Sequence, residues 1–229
     1  MLIVLEGIDG SGKTSILNEV YTRLFSTYTI GTMDYPNYEK TIGGELAGKM
    51  LNGNLGALTP EIAATIFALD RFEQLDILKS KLLLNQLVLA NRYVTSNIAY
   101  QASRYSDNED KEACRLFIER LEYEVYRQPI PDLVITLDIP VNLAIKNIEN
   151  KAKRSYTDST LDLYEQDRDL LSKVQNYYLY DLPHSQAERT RYYRLETCRN
   201  GHLLAIETIA IKVCELISKE FDRKKNNAT

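Results

Sequence analysis

The chain has 229 residues, 44% of them hydrophobic and 26% charged. That length fits one ordinary domain, which buries roughly 70–75% of the surface its unfolded chain exposes and needs no disulfide or metal staple. A count of 32 acidic against 28 Lys and Arg residues gives a net charge of -4. This argues against a general binder of polymeric nucleic acid, but leaves open small anionic ligands, which read local charge. The three cysteines, Cys114, Cys198 and Cys214, form no C-x-x-C pair, so neither a disulfide framework nor a zinc site is expected, and a reducing cytoplasm is the expected setting. The N-terminus lacks a basic region and no run of 18 apolar residues occurs, so neither a signal peptide nor a membrane span is expected.

In chain order, Leu2–Leu5 is a buried-strand run, and residues 13 to about 25 carry apolar Ile16, Leu17, Val20 and Leu24 at helical spacing. Tyr28–Met33 reads as a weaker strand. Thr59-Pro60-Glu61 is a helix start, with a capping hydroxyl, a proline at the first helical position and an acid in the first turn. That helix is expected to run to about Leu84. Leu87–Ala90 is a third strand, Lys111–Tyr126 a helix, Leu133–Leu137 a fourth strand and Val141–Lys151 a helix. Asp162–Tyr180 is helical, Tyr192–Leu195 a fifth strand, and a helix follows from about Leu203 to Lys219, with a frayed tail over about 222–229. Alternating strands and helices predict a single α/β domain over residues 1–229, with a five-stranded parallel sheet covered on both faces. The polar, basic stretch at about 150–162 is the expected lid.

Gly7-Ile8-Asp9-Gly10-Ser11-Gly12-Lys13-Thr14 fits G-x-x-x-x-G-K-[ST] between a strand and a helix. Backbone N–H groups at such a turn, from Gly7, Gly10, Ser11 and Gly12, cradle a phosphate chain. Lys13 adds a point charge and Thr14 a hydroxyl for Mg²⁺. The pattern predicts a P-loop NTPase fold that binds ATP or a related nucleotide. A GTPase is disfavoured, because the nearest match to N-K-x-D, Asn150-Lys151-Ala152-Lys153, lacks the acid.

Further blocks narrow the class: Tyr35-Pro36-Asn37-Tyr38, Phe67-Ala68-Leu69-Asp70-Arg71, Asn91-Arg92-Tyr93-Val94-Thr95-Ser96-Asn97-Ile98-Ala99-Tyr100 and Asp162-Leu163-Tyr164-Glu165. Together with Leu5–Ser15 they resemble the thymidylate kinase family, in that family's order and spacing. The resemblance implies phosphorylation of dTMP to dTDP with ATP and Mg²⁺, by a homodimer with part of the Pro60–Leu84 helix in its interface. It also implies roles. Phe67 stacks on thymine, Arg71 donates to its O4, and Asn97 pairs with N3. Tyr100 packs beneath the sugar, Arg92 clamps the dTMP phosphate, Asp9 contacts the 3′-hydroxyl, and Tyr38 and Tyr164 surround phosphate and sugar. Glu165 joins Lys13 and Arg92 among the catalytic residues. Without the resemblance, Phe67 reads as core, Arg71 as a solvated charge and Asn97 as a helix-start residue.

The P-loop contains no arginine, so the lid bases Lys151, Lys153 and Arg154 are expected to close over ATP and neutralise the transferring phosphoryl group. Family members carry an aspartate where this chain has Asn91. The asparagine keeps an oxygen for a metal-bound water but removes a negative charge, so an altered Mg²⁺ requirement is expected, with Asp9, Asp162 and Glu165 as compensating acids. Two rival readings are a kinase for other nucleoside monophosphates such as dUMP, and a weakly catalytic nucleotide-binding regulator.

Overall fold

The computed structural model describes residues 1–149, 162–182 and 190–227. Five parallel strands form the central sheet: β1 (Leu2–Glu6), β2 (Ile30–Asp34), β3 (Leu87–Asn91), β4 (Leu133–Asp138) and β5 (Arg191–Glu196). Their spatial order is β2-β3-β1-β4-β5, the five strands expected from the apolar runs. β1 lies at the centre, which is why its sequence is an unbroken apolar run: a central parallel strand buries both faces. Ile3, Leu5, Leu89 and Ile135 face α1 (Lys13–Leu24) and the final helix α10 (Ile206–Asn227), where they meet Ile16, Val20, Ile209 and Val213. Val4, Val88, Ala90 and Val134 face the opposite layer of α5 (Val94–Ala102), α6 (Asn108–Glu119) and α9 (Arg168–Asn176). Burying each Leu or Ile this way contributes about 1.5–3 kcal/mol. Among the described residues, no helix is long and apolar enough to cross a membrane.

The structure departs from the expected elements in informative places. Helix α2 (Ile42–Leu51) was not expected, because Gly43-Gly44 reads as a loop by propensity. The glycines serve packing instead. A Cβ on Gly43 would lie 2.1 Å from the backbone nitrogen of Asp70, so only glycine lets α2 cross α3 (Pro60–Glu73) this closely. The helix expected over Pro60–Leu84 breaks at Gln74, and α4 (Leu75–Leu84) continues beyond. At the break, the Gln74 side-chain amide turns back onto the Asp70 carboxylate at 3.1 Å. The last helix continues to Asn227 rather than fraying after Lys219, and Lys224 ion-pairs with Asp132 at the base of β4. It begins only at Ile206, since Cys198–Arg199 and His202–Leu203 form a small antiparallel hairpin. α7 (Val141–Glu149) leads towards the expected lid, and α8 (Leu163–Gln166) follows it. Lid residues Lys151, Lys153 and Arg154 lie outside the described residues.

Candidate functional site

The carboxyl ends of β1, β3 and β2 lie side by side, and the connections that leave the neighbours β1 and β3 run in opposite directions, to β2 and to β4; such strand ends are where open α/β sheets bind ligands. The predicted P-loop emerges here from β1. Gly7, Gly10 and Gly12 have φ values of 142°, 77° and 86°. At Gly10 glycine is needed twice over, because a Cβ would also sit 2.0 Å from the Ala144 carbonyl oxygen of α7. Asn147, also on α7, donates to the Gly10 carbonyl at 2.8 Å and fixes the turn. Lys13 is buried and folds back over the loop, donating to the carbonyls of Gly7 and Ile8 at 3.0 Å each and to Ser11 Oγ at 3.3 Å. Helices α2, α3, α6 and α9 each have a side chain capping their first N–H groups. α1 has none at its left-handed Gly12. Among the other helices, α4 and α5 likewise lack a side-chain cap.

At the end of β3, Asn91 donates through Nδ2 to Thr14 Oγ1 at 3.3 Å, so the two residues expected at a metal site do stand together. Next to it, Arg92 has a φ of 63°, a left-handed conformation costing about 1–3 kcal/mol for a non-glycine residue. Glu6, fully buried, holds the segment in place. Its carboxylate accepts from the backbone N–H groups of Tyr93 (2.9 Å) and Ser96 (3.1 Å), from the hydroxyls of Thr95 and Ser96, and from Tyr178 at 2.9 Å. Glu6 thereby caps α5 from outside, at a helix start with no side-chain cap of its own. Arg92 turns into the cleft and donates to Asp9 at 2.7 Å and to Ser96 Oγ at 3.0 Å. Tyr100 donates to the other Asp9 oxygen at 2.8 Å. Burial opposes the charge on Arg92, but Asp9 overrides it and leaves the guanidinium firmly protonated. Burial, then the Asp9 charge, holds the Tyr100 phenol well above its ordinary value, so it stays a neutral donor.

A cavity opens beside this cluster. The residues expected around an acceptor all line it: Asp9, Tyr38, Phe67 and Arg71 from the first half of the chain, with Arg92, Asn97, Tyr100 and Tyr164 from further on. Arg71 is therefore not a solvated charge. It is 2% exposed and donates through Nε and Nη2 to both oxygens of Glu122 at 2.5 Å. Burial opposes its charge as well, but the Glu122 carboxylate more than restores it. Nor is Asn97 a helix-start residue, since α5 begins at Val94. Asn97 Nδ2 donates to the Ala64 carbonyl and to Glu122 Oε1, both at 2.9 Å. Those neighbours are acceptors, so the nitrogen must face them and Oδ1 must turn away. That oxygen is buried and accepts no hydrogen bond among the described residues. Phe67 is half-buried rather than core. Tyr164 stacks on Tyr100, with ring centroids 5.6 Å apart.

Glu165 stands slightly apart. It is 1% exposed and accepts from the backbone N–H of Asp162, while Asp162 accepts from the N–H groups of Tyr164 and Glu165. This reciprocal capping box sets the start of α8 and with it the Tyr164 ring. Sequence reasoning missed Glu6, Glu122 and Asp34. Glu122 lies in a π-helical continuation of α6 (Arg120–Val125), a rare geometry that turns it inward and has no sequence signal of its own. An acid in an otherwise apolar run, as at Glu6, was the one available hint.

The family profile for thymidylate kinase matches residues 5–190. A thymidylate kinase of Mycobacterium tuberculosis is 29% identical over 177 residues, spanning 76% of this chain and 82% of that protein. A probable thymidylate kinase of Pyrobaculum calidifontis is 30% identical over 214 residues, covering 92% and 95% of the two chains. The thymidylate kinase structure from Candida albicans superposes with a TM-score of 0.69 at 21% identity, over 95% of this chain and 91% of that one, and supports the P-loop kinase fold.

Proposed function

The chain belongs to the thymidylate kinase family of phosphotransferases, and on that premise we propose that it transfers the γ-phosphoryl group of ATP to dTMP, yielding ADP and dTDP. The observation that carries this reading is that Asn97 and Arg71, both held by Glu122, line one cavity. Asn97 presents a buried acceptor with its nitrogen already engaged. Arg71 is held by Glu122 through Nε and Nη2, leaving Nη1 outside those bonds. An acceptor beside a cationic donor matches the N3–H and O4 edge of thymine, and Phe67 supplies a ring on which the base stacks, worth about 1–3 kcal/mol.

The Arg92 guanidinium suits the acceptor phosphate, and Tyr38 flanks it. Asp9 and Tyr100 hold Arg92 and face the sugar. No general base is required, because a phosphate monoester with a second pKa near 6 is already anionic at pH 7. Lys13 and the P-loop amides of Gly7, Gly10, Ser11 and Gly12 hold the donor phosphates, and Lys151, Lys153 and Arg154 supply transition-state charge from the lid. Thr14 and Asn91 are the residues that would hold Mg²⁺: the Asn91 amide nitrogen bonds the Thr14 hydroxyl, its oxygen accepts no hydrogen bond among the described residues, and this ion typically uses one or two protein ligands beside phosphates and water. When bound, Mg²⁺ neutralises phosphate charge. We also propose a homodimer through the α3–α4 face, which exposes Phe72, Ile77, Leu83 and Leu84.

A panel of deoxynucleoside monophosphates, with ADP release as readout, tests the reading. dTMP should be preferred, and Asn97→Ala should raise its KM at least about tenfold by leaving N3–H unpaired. A different preferred base, or an unchanged KM, would overturn it.

A further inference from the structure

We propose that Asp34, one strand out from Asn91, supplies the carboxylate through which this chain handles the divalent cation of its nucleotide; the inference rests on the kinase reading above and adds a residue to it. β2 and β3 end in register, so Asp34 and Asn91 are direct cross-strand partners. On its other side Asn91 pairs with Leu5, two residues before the P-loop. The Asn91 amide nitrogen donates to Thr14 Oγ1 at 3.3 Å. Asn91 Oδ1 is shut off from solvent and accepts no hydrogen bond among the described residues. The positive charges of Arg92 and Lys13 act on Asp34, which is itself exposed to solvent. The Thr14 hydroxyl at the start of α1, the Asn91 amide at the end of β3 and Asp34 at the end of β2 are therefore successive neighbours beside the phosphate-binding loop.

The other acids near this edge are engaged differently. Asp9 accepts from Arg92 and Tyr100, Glu6 is enclosed by α5, and Asp162 and Glu165 cap α8. Moving a negative charge from position 91 to position 34 shifts it by one strand spacing, about 4.8 Å. That is close to the reach of one metal-bound water, and Mg²⁺ keeps several of its waters. Asp34 thus holds the cation through water and restores the charge that an asparagine at 91 removes.

The test uses Mn²⁺ as the probe, with free Mn²⁺ followed by electron spin resonance on the full chain and ADP. Asp34→Asn should weaken Mn²⁺ binding to the protein–ADP complex about tenfold, the lower end of what outer-shell partners of a metal contribute. ADP affinity without metal should stay within twofold. Adding Asn91→Asp to the Asp34→Asn variant should restore Mn²⁺ binding. Unchanged Mn²⁺ affinity in Asp34→Asn, or no restoration in the double variant, would overturn the proposal while dTMP phosphorylation by the wild type left the kinase reading standing. Failure of the wild type to phosphorylate any monophosphate would remove both.

Discussion

The P-loop and the acceptor cavity share an edge of the sheet but are built in different ways. The P-loop is eight consecutive residues whose working groups are largely backbone, set by glycine conformations and steadied by one amide from α7. The cavity is lined by side chains from α2, α3, α5 and α8 and from the segments that follow β1, β2 and β3, and its Arg71 is held by a buried ion pair to a residue 51 positions away. A contiguous backbone site tolerates loss of a side chain in its fold but not in its chemistry. A site made from buried charges pays for such a loss in stability first.

Three experiments probe that contrast, in descending size of effect. Glu122→Gln leaves the Arg71 guanidinium buried without its counter-ion, and breaking a buried pair costs about 3–5 kcal/mol; chemical denaturation should show a loss of that order, and a change below about 1 kcal/mol would mean the cavity does not rest on this pair. Lys13→Ala should do the reverse. Turnover should fall about 10²–10³-fold, as for removal of one charge-stabilising donor, while stability moves by less than about 1.5 kcal/mol, because only partly compensated hydrogen bonds to the loop are lost. A variant with low stability and intact turnover would invert the comparison.

The smallest effect concerns Asp70, which ties the Asn37–Thr41 segment to α3 through the Asn37 N–H at 3.0 Å and the Thr41 hydroxyl at 2.5 Å. Burial raises its carboxyl above the ordinary value, against the lowering effects of Thr41, Asn37, Arg71 and Gln74. The folded protein therefore keeps this proton to higher pH than the unfolded chain does. Stability from this group falls as pH rises from the ordinary carboxylate range through the raised value. Asp70→Asn should flatten that decline in a series of melting temperatures against pH, and an unaltered slope would assign the dependence to other groups.

Much of the site was legible in the order of residues, for a reason that differs between the two regions. Gly7 to Thr14 is readable because the function lies in local backbone geometry, which glycine spacing specifies. Phe67 and Arg71 are readable as a pair because i and i+4 share a helix face, and the family resemblance joined them to Asn97. The support beneath them was not readable. Glu122 enters through a π-helical turn, Glu6 caps a helix that starts 88 positions later, and the glycines of α2 are explained only by the closeness of α3.

By itself, the sequence determined the alternation of five strands with amphipathic helices and the phosphate-binding turn, since period, apolar runs and glycine positions are local properties. Only the tertiary structure decided that Arg71 is buried on Glu122, that the Asn97 oxygen is buried without a donor among the described residues, and that Asp34 lies beside Asn91. Those facts depend on which strands become neighbours and which charges lose their water, and burial and pairing exist only once the chain has closed on itself.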